Sequence, residues 1–302
     1  MPITLPPLSR RQFLKRSLAG SAGIFVSRVT FAEDASLDAC RFAFMSDSHI
    51  AGEKGKIMRG VNLVEHLKNA CAQIAALNPR PAASALTGDC TLLDGQPDDY
   101  AVLSELLVPV REAGVPVHLV LGNHDCRERC WASIPPDSGQ DKVVENRHIT
   151  VVESPHANWF MLDSLDVVNK SPGALGDAQL KWLDAALGNQ ADKPALIITH
   201  HNPLFGKGAS GLTDTGALYE VLLSHANVKA HFFGHTHTWN TTIHDSGIHL
   251  INLPPVAYVF NKEKPSGWLD VRLKANGATV QMNSLNPEHR QHGQTVELEW
   301  RG

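Results

Sequence analysis

From residue 38 onward, short apolar runs alternate with stretches in which apolar residues recur every three or four positions, the pattern of an α/β protein. Residues 41–45 form the first run, and Met58, Val61, Val64, Leu67, Cys71, Ile74 and Leu77 then mark one helical face, stopped by Asn78-Pro79. A second run at 83–87 precedes a helix opened by Pro97, with Tyr100, Leu103, Leu106, Leu107 and Val110 on one face and Gly114 just beyond it. Residues 117–121 read as a buried strand. Residues 126–147 turn polar around Pro135-Pro136 without a sustained period, which predicts a long loop or irregular insertion of the kind that often carries function. Strands are predicted at 148–152, 158–162, 195–199 and 229–233. Between the second and third of these lies a helix opened by Asp177, carrying Leu180, Leu183 and Leu187 and closed by Gly188. The rest of the chain, with runs at 248–253, 268–273 and 278–282 between Gly and Asn turns, reads as mostly β.

Five of the apolar runs end in residue types that bind metals. Asp47 and His49 follow the first, Asp89 the second, and Asn123, His124 and Asp125 the third; His200 and His201, then His235 and His237, follow the last two. In open α/β sheets the carboxyl ends of strands gather on one edge, so runs far apart in the chain can deliver these residues to one pocket. In extended chain, residues two apart point the same way, so Asp47 with His49, and His235 with His237, can each face a common site. Gly88, Gly122 and Gly234 precede them, as expected where backbone turns sharply or approaches closely. A single Asp-x-His is usually a surface turn; the conjunction of five clusters is what points to metal. Mixed oxygen and nitrogen ligands without thiolate suit iron, manganese or zinc. The five cysteines, odd in number and without CxxC units, argue against a disulfide framework or a zinc ribbon. Pairing of Cys126 with Cys130 stays open, and Cys90 is expected to point away from Asp89.

The order D-x-H at 47–49, G-D at 88–89, G-N-H-D at 122–125, a histidine at 200–201 and G-H-x-H at 234–237 resembles the calcineurin-like metallophosphoesterase family. The resemblance implies a four-layer α/β/β/α sandwich of two mixed sheets, a single domain over 38–302, with the metal site at the carboxyl ends of strands. It further implies two divalent ions, of iron, manganese or zinc. Asp47, His49 and His237 would hold one, Asn123, His235 and one of His200 and His201 the other, and Asp89 would bridge both. The family's H-x-P spacing to Pro203 favours His201, although His200 ends the strand more naturally. By the same likeness a water activated between the ions attacks phosphorus and His124 serves the leaving group; Asp125 either orients His124 or caps a turn. The segment with Gln179, Leu180, Trp182 and Leu183 is similar to the branch of cyclic-nucleotide and glycerophosphodiester phosphodiesterases. Leu92 stands where a purple acid phosphatase would need tyrosine, so no tyrosinate-bound ferric ion is expected. The competing readings are a nuclease of the same fold and a metal-binding protein without catalysis.

Charge narrows the partners. With 27 Lys and Arg against 31 Asp and Glu, the net charge of −4 leaves no basic footprint, and nucleic acid is not an expected partner. A small phosphorylated substrate is expected, met by the loops at 126–147, 205–215 (with Lys207) and 253–260. Residues 1–32 resemble a bacterial twin-arginine signal peptide: Arg10 and Arg11 precede Phe13 and Leu14 and a weakly apolar stretch, with a cleavage point after Ala32. The expectation is export by the twin-arginine machinery to the periplasm. No later run approaches the roughly 18 apolar residues of a membrane span.

Overall fold

The computed structural model describes residues 36–134, 143–206 and 208–302. The signal segment at 1–32, part of the predicted 126–147 loop and Lys207 lie outside the described residues. Among the described residues, no helix is long and apolar enough to cross a membrane.

Two six-stranded sheets form the centre. The first contains β1 (Leu37–Met45), β4 (Arg80–Thr87), β5 (Val117–Val120), β12 (Gly267–Lys274), β13 (Gly277–Ser284) and β14 (Thr295–Glu299), in the spatial order β14-β13-β12-β1-β4-β5. The second contains β6 (Thr150–Glu153), β7 (Asn158–Met161), β8 (Ala195–Ile198), β9 (Val228–Phe233), β10 (Asn240–Ile243) and β11 (His249–Asn252), in the order β10-β11-β9-β8-β7-β6. Both are mixed: β1, β4 and β5 pair in parallel, as do β7, β8, β9 and β11, while the flanking strands are antiparallel. Helices α1 (Leu63–Ala75), α2 (Pro97–Glu112) and α3 (Arg127–Ser133) cover the first sheet, and α4 (Asp177–Asn189) and α5 (Thr215–Ser224) the second. A two-stranded hairpin of β2 (Ile57–Met58) and β3 (Val61–Asn62) leads into α1.

Strand periodicity explains why there are four layers. In β1, Phe42 and Phe44 face the second sheet whereas Ala43 and Met45 face the helices, because successive side chains alternate. Phe42 and Phe44 meet Trp159 of β7 and, for Phe44, Phe232 of β9, with ring centroids 4.7 to 5.9 Å apart. This apolar middle layer presses the sheets face to face, so the parallel strands of both present their carboxyl ends at one edge.

Several local expectations are corrected. Met58 and Val61 belong to the hairpin, not to a helix: Arg59 and Gly60, at φ 51° and 83°, make a left-handed two-residue turn that ends helical periodicity before Leu63. The polar segment after Cys126 opens as helix α3. Asp177 is the first helical residue of α4 behind Gly176, which takes φ 78° as N-cap, and Gly188 lies inside that helix. Helix α5 is additional, while β10 and β14 fall in the stretch expected to be mostly β.

Trp159 is fully buried at the centre of the aromatic layer. Trp159→Ala is expected to destabilise the protein by about 3–5 kcal/mol in urea unfolding, whereas Trp159→Phe, which keeps a ring in place, costs under about 1.5 kcal/mol; equal effects would contradict the packing role.

Candidate metal centre

The turns that follow the strands continue the hydrogen-bond ladders and so fix the side chains they carry. Asp47 N–H donates to the Gly88 carbonyl at 3.0 Å and His49 N–H to the Asp89 carbonyl at 2.9 Å, tying the first two clusters together. Gly234 N–H donates to the His200 carbonyl, and Val256 and Ala257, from the segment after β11, donate to Ser46 and Asp47, stitching one sheet to the other. Five of the nine described non-glycine residues with positive φ are Asp47, His49, Asp89, His235 and His237, at 46° to 69°. Left-handed backbone costs an L-residue on the order of 1–2 kcal/mol, so the strain is concentrated at this edge. D-x-H and H-x-H are therefore not extended chain; their side chains converge because both ends of each motif turn left-handed. Gly122 lies so close to Asp89 and His200 that a Cβ there would overlap both.

The two carboxylates sit between histidines. Asp47 Oδ2 accepts from Ser46 Oγ at 2.5 Å and from His235 N–H at 3.2 Å, leaving Oδ1 3.3 Å from His237 Nε2. Asp89 Oδ1 accepts from His124 N–H at 2.9 Å and lies 3.2 Å from His200 Nε2; its Oδ2 faces His49 Nε2 at 3.8 Å and His124 Nε2 at 4.0 Å. Backbone carbonyls fix the tautomers. His237 Nδ1–H donates to Tyr258, His200 Nδ1–H to Thr87 and His124 Nδ1–H to Leu93, at 2.6, 2.9 and 2.7 Å. A carbonyl only accepts, so each ring, when neutral, carries its lone pair on the inward Nε2.

A cation fits this arrangement. Asp47 Oδ1, Asn123 Oδ1, His200 Nε2 and His201 Nε2 are buried without a hydrogen-bond partner, and an acceptor facing acceptors is repulsive unless positive charge lies between them. His49 Nε2 and His237 Nε2 are 3.0 Å apart, the spacing of two nitrogens each about 2.1 Å from one ion at a right angle. Asp47, His49 and His237 form one group able to hold an ion, and His200, His201 and His235 another; Asp89 joins both sides through groups with His49 and His124 and with Asp47 and His200.

The electrostatics agree. Burial opposes charge on both aspartates, but the neighbouring histidines, chiefly His237 for Asp47 and His200 for Asp89, hold both carboxyls below the usual range. Burial likewise opposes charge on His200, yet the Asp89 carboxylate brings it up to about 9, and Asp47 raises His237 in the same way. Burial lowers His49 to about 3 and His235 to about 4, and with the charge of His200 it lowers His201. Two sites of the cluster thus attract positive charge, while three rings are kept neutral, the protonation state a metal ligand requires.

All ten residues singled out from the sequence lie at this edge, but not with equal roles. Asp125 does not touch the His124 ring. Its buried carboxylate accepts from the N–H groups of Gly122 (2.9 Å), Cys90 (3.2 Å) and Thr91 (3.3 Å), bracing the turn after β4 against the turn after β5, and burial followed by the Asp89 charge raises its pKa to about 6. Of the two expectations for Asp125, orienting His124 or capping a turn, these contacts match the second, so Asp125 is a positioning residue and not one that meets the reacting atoms. Cys90 points away as expected, its Sγ 3.5 Å from the Val120 carbonyl. Cys126 and Cys130 are free thiols. Three residues were missed individually: Tyr258 and Phe260 stack on His49 and His237, and Arg59 lies over both rings. The segment 253–260 was flagged as substrate-facing; nothing in the pattern flagged Arg59.

Residues 40–239 match the family model described as calcineurin-like phosphoesterase. Among curated relatives, the chain is 27% identical over 197 residues to a protein named 3′,5′-cyclic adenosine monophosphate phosphodiesterase of Pseudomonas aeruginosa, covering 64% of this chain and 68% of that one. It is 28% identical over 165 residues to a glycerophosphodiester phosphodiesterase of Enterobacter lignolyticus, covering 54% and 56% of the two. The fold superposes on a dimetal phosphatase from Danio rerio with a TM-score of 0.69 at 18% identity, covering 87% of this chain and 99% of the other.

Manganese at about a hundredfold excess over its Kd is expected to stabilise the protein by about 2.7 kcal/mol, read as a higher thermal midpoint, and Asp89→Asn to forfeit most of that gain. A wild-type midpoint indifferent to manganese, iron and zinc alike contradicts the metal reading.

Proposed function

The chain belongs to the calcineurin-like phosphoesterase family and is a metal-dependent hydrolase of phosphate esters; we propose that its substrate is a small phosphodiester, cleaved at a two-ion centre. The observation that supports two ions is the position of Asp89, with histidines facing each of its carboxylate oxygens. In this reading Asp47, His49, His237 and Asp89 hold one ion, and Asn123, His201, His235 and Asp89 the other. Both histidines have an Nε2 without a hydrogen-bond partner and a held Nδ1; His201 is assigned over His200 on its spacing to Pro203 and because His200 Nε2 already lies 3.2 Å from Asp89 Oδ1. The diester preference is carried over from the relatives named for cyclic adenosine monophosphate and for glycerophosphodiesters.

When bound, a pair of divalent ions supplies Lewis acidity toward the phosphoryl oxygens and activation of water at neutral pH. The protein's own groups do the rest. Left-handed turns and carbonyl-fixed rings hold the ligating atoms in place before substrate arrives, so little reorganisation accompanies binding. His124 has a side chain 25% exposed, the most open of the cluster histidines paired with Asp89, and its ring is held by Leu93 with Nε2 toward Asp89. A protonated Nε2 there donates to the departing alkoxide. Asp125 keeps the two turns that carry Asp89 and His124 in register. A nuclease reading gains nothing from the net charge of −4.

The test is reconstitution of the protein with manganese, iron or zinc, comparing bis(4-nitrophenyl) phosphate with 4-nitrophenyl phosphate. A higher kcat/KM on the diester is expected, with metal-dependent turnover lost in Asn123→Ala and in His201→Ala; full activity in either variant removes its ligand assignment. His124→Ala is expected to lower kcat by about 10²–10⁴ on diesters with alkyl leaving groups and by much less with 4-nitrophenolate, which needs no proton. Equal losses on both would assign His124 elsewhere.

We also propose, from Arg10 and Arg11 and the apolar stretch after them, that the chain is exported to the periplasm by the twin-arginine route. Replacing both arginines by lysine is expected to leave the protein in the cytoplasmic fraction; unchanged periplasmic recovery refutes the route.

A further inference from the structure

We propose that Arg59 reads the alcohol part of the substrate, selecting esters that carry a second anionic group, a carboxylate or a further phosphate, beside the phosphate that is cleaved. The inference rests on the phosphoester reading above and names a substrate class within it.

Arg59 stands at the tip of the β2–β3 hairpin, where the register Met58↔Val61 leaves only Arg59 and Gly60 to make the turn. Its φ of 51° is a conformation that a non-glycine residue adopts at a cost, and the position is exposed, so packing of its own side chain into a core does not explain it. The guanidinium lies over two rings, with Cζ 4.8 Å from the Phe260 centroid and 5.7 Å from that of Tyr258. Those rings lie in turn on the metal-facing histidines: Phe260 on His237 at 4.5 Å, and Tyr258 on His49 at 5.2 Å and on His237 at 4.8 Å. Arg59 is therefore one ring removed from the metal centre, on its solvent side.

What the guanidinium lacks decides its ligand. Its Cζ is held over the two aromatic rings, and among the described residues no carboxylate or carbonyl partners its N–H groups. An arginine held over aromatic rings with its N–H groups free keeps a planar fork of donors, the geometry that matches a carboxylate or phosphate oxygen pair. The cation–π contact also removes part of the entropy that an exposed arginine loses on binding. Phe260, itself 57% exposed, forms the apolar floor between that fork and the metal-facing rings. A substrate with phosphate at the histidines and a second anion a few bonds away would span this floor.

The test uses two matched pairs. The 4-nitrophenyl phosphodiesters of glycolate and of glycolamide differ by a carboxylate against a neutral amide of nearly the same shape. The manganese-loaded wild type is expected to prefer the glycolate ester by about tenfold in kcat/KM, mainly through KM. Arg59→Gln brings that ratio near unity and Arg59→Lys restores only part of it. Calorimetric binding of 3-phosphonopropionate against propylphosphonate reads the same preference without turnover. If neither ester is cleaved but the phosphonates still differ and Arg59→Gln erases the difference, the hydrolytic reading fails and the Arg59 site stands. A preference that survives Arg59→Gln unchanged, or a wild type that favours neither member of either pair, overturns the proposal. A matched ester with a second phosphate in place of the carboxylate tells the two anions apart: the one whose preference over the amide is larger and is erased by Arg59→Gln is the anion the site takes, and a phosphate and a carboxylate that are both indifferent to Arg59→Gln overturn the proposal.

Discussion

Two carboxylates, Asp47 and Asp89, are enclosed where the sheets meet, and the architecture of that edge answers to the cost of placing them there. An isolated buried carboxylate is strongly unfavourable unless hydrogen bonds and opposite charge compensate it. Ser46 and the His235 amide satisfy one oxygen of Asp47, and the His124 amide one oxygen of Asp89. The remaining oxygens face imidazole nitrogens that offer lone pairs unless protonated. The protein has thus assembled acceptors around a space that only positive charge reconciles, and the same two carboxylates push His200 and His237 upward.

Such an arrangement needs a rigid support, and the middle aromatic layer supplies it. Phe42 and Phe44 from one sheet lock against Trp159 and Phe232 from the other, and the bonds from Val256 and Ala257 to Ser46 and Asp47 tie the sheets together directly beneath the site. Left-handed backbone at five of the cluster positions persists because the ladders on either side leave those residues no alternative. Strain, burial and charge are therefore concentrated in the same few turns, and flexible or weakly determined loops are not asked to hold any ligand-type side chain.

Much of this was legible in the sequence because parallel strands obey a positional rule. An apolar run followed by Asp, His or Asn is readable wherever strand ends share an edge, so the five clusters could be gathered without knowing the strand order. The geometry of approach was not legible: alternation along extended chain suggested how Asp47 and His49 converge, whereas the turns are left-handed. The sequence left Asp125 open between orienting His124 and capping a turn, because adjacency in the chain does not say where a side chain points; its carboxylate turns away from the His124 ring and reaches across to Cys90 and Thr91. The hairpin at Ile57–Asn62 was hidden by apolar residues that happened to continue the helical period, and with it Arg59, whose partners Tyr258 and Phe260 lie two hundred positions away on another sheet's loop. Helix α5 escaped notice because its ten residues are so largely apolar that no sided period stands out.

The most direct measurement is diffraction from crystals of the manganese- or zinc-loaded protein, recorded on both sides of the metal's absorption edge. The account predicts two anomalous peaks about 3.5–4 Å apart, one on the His49 side and one on the His201 side, with a carboxylate oxygen of Asp89 ligating each ion or shared between them. A single peak, or two peaks that leave Asp89 outside both coordination shells, contradicts it.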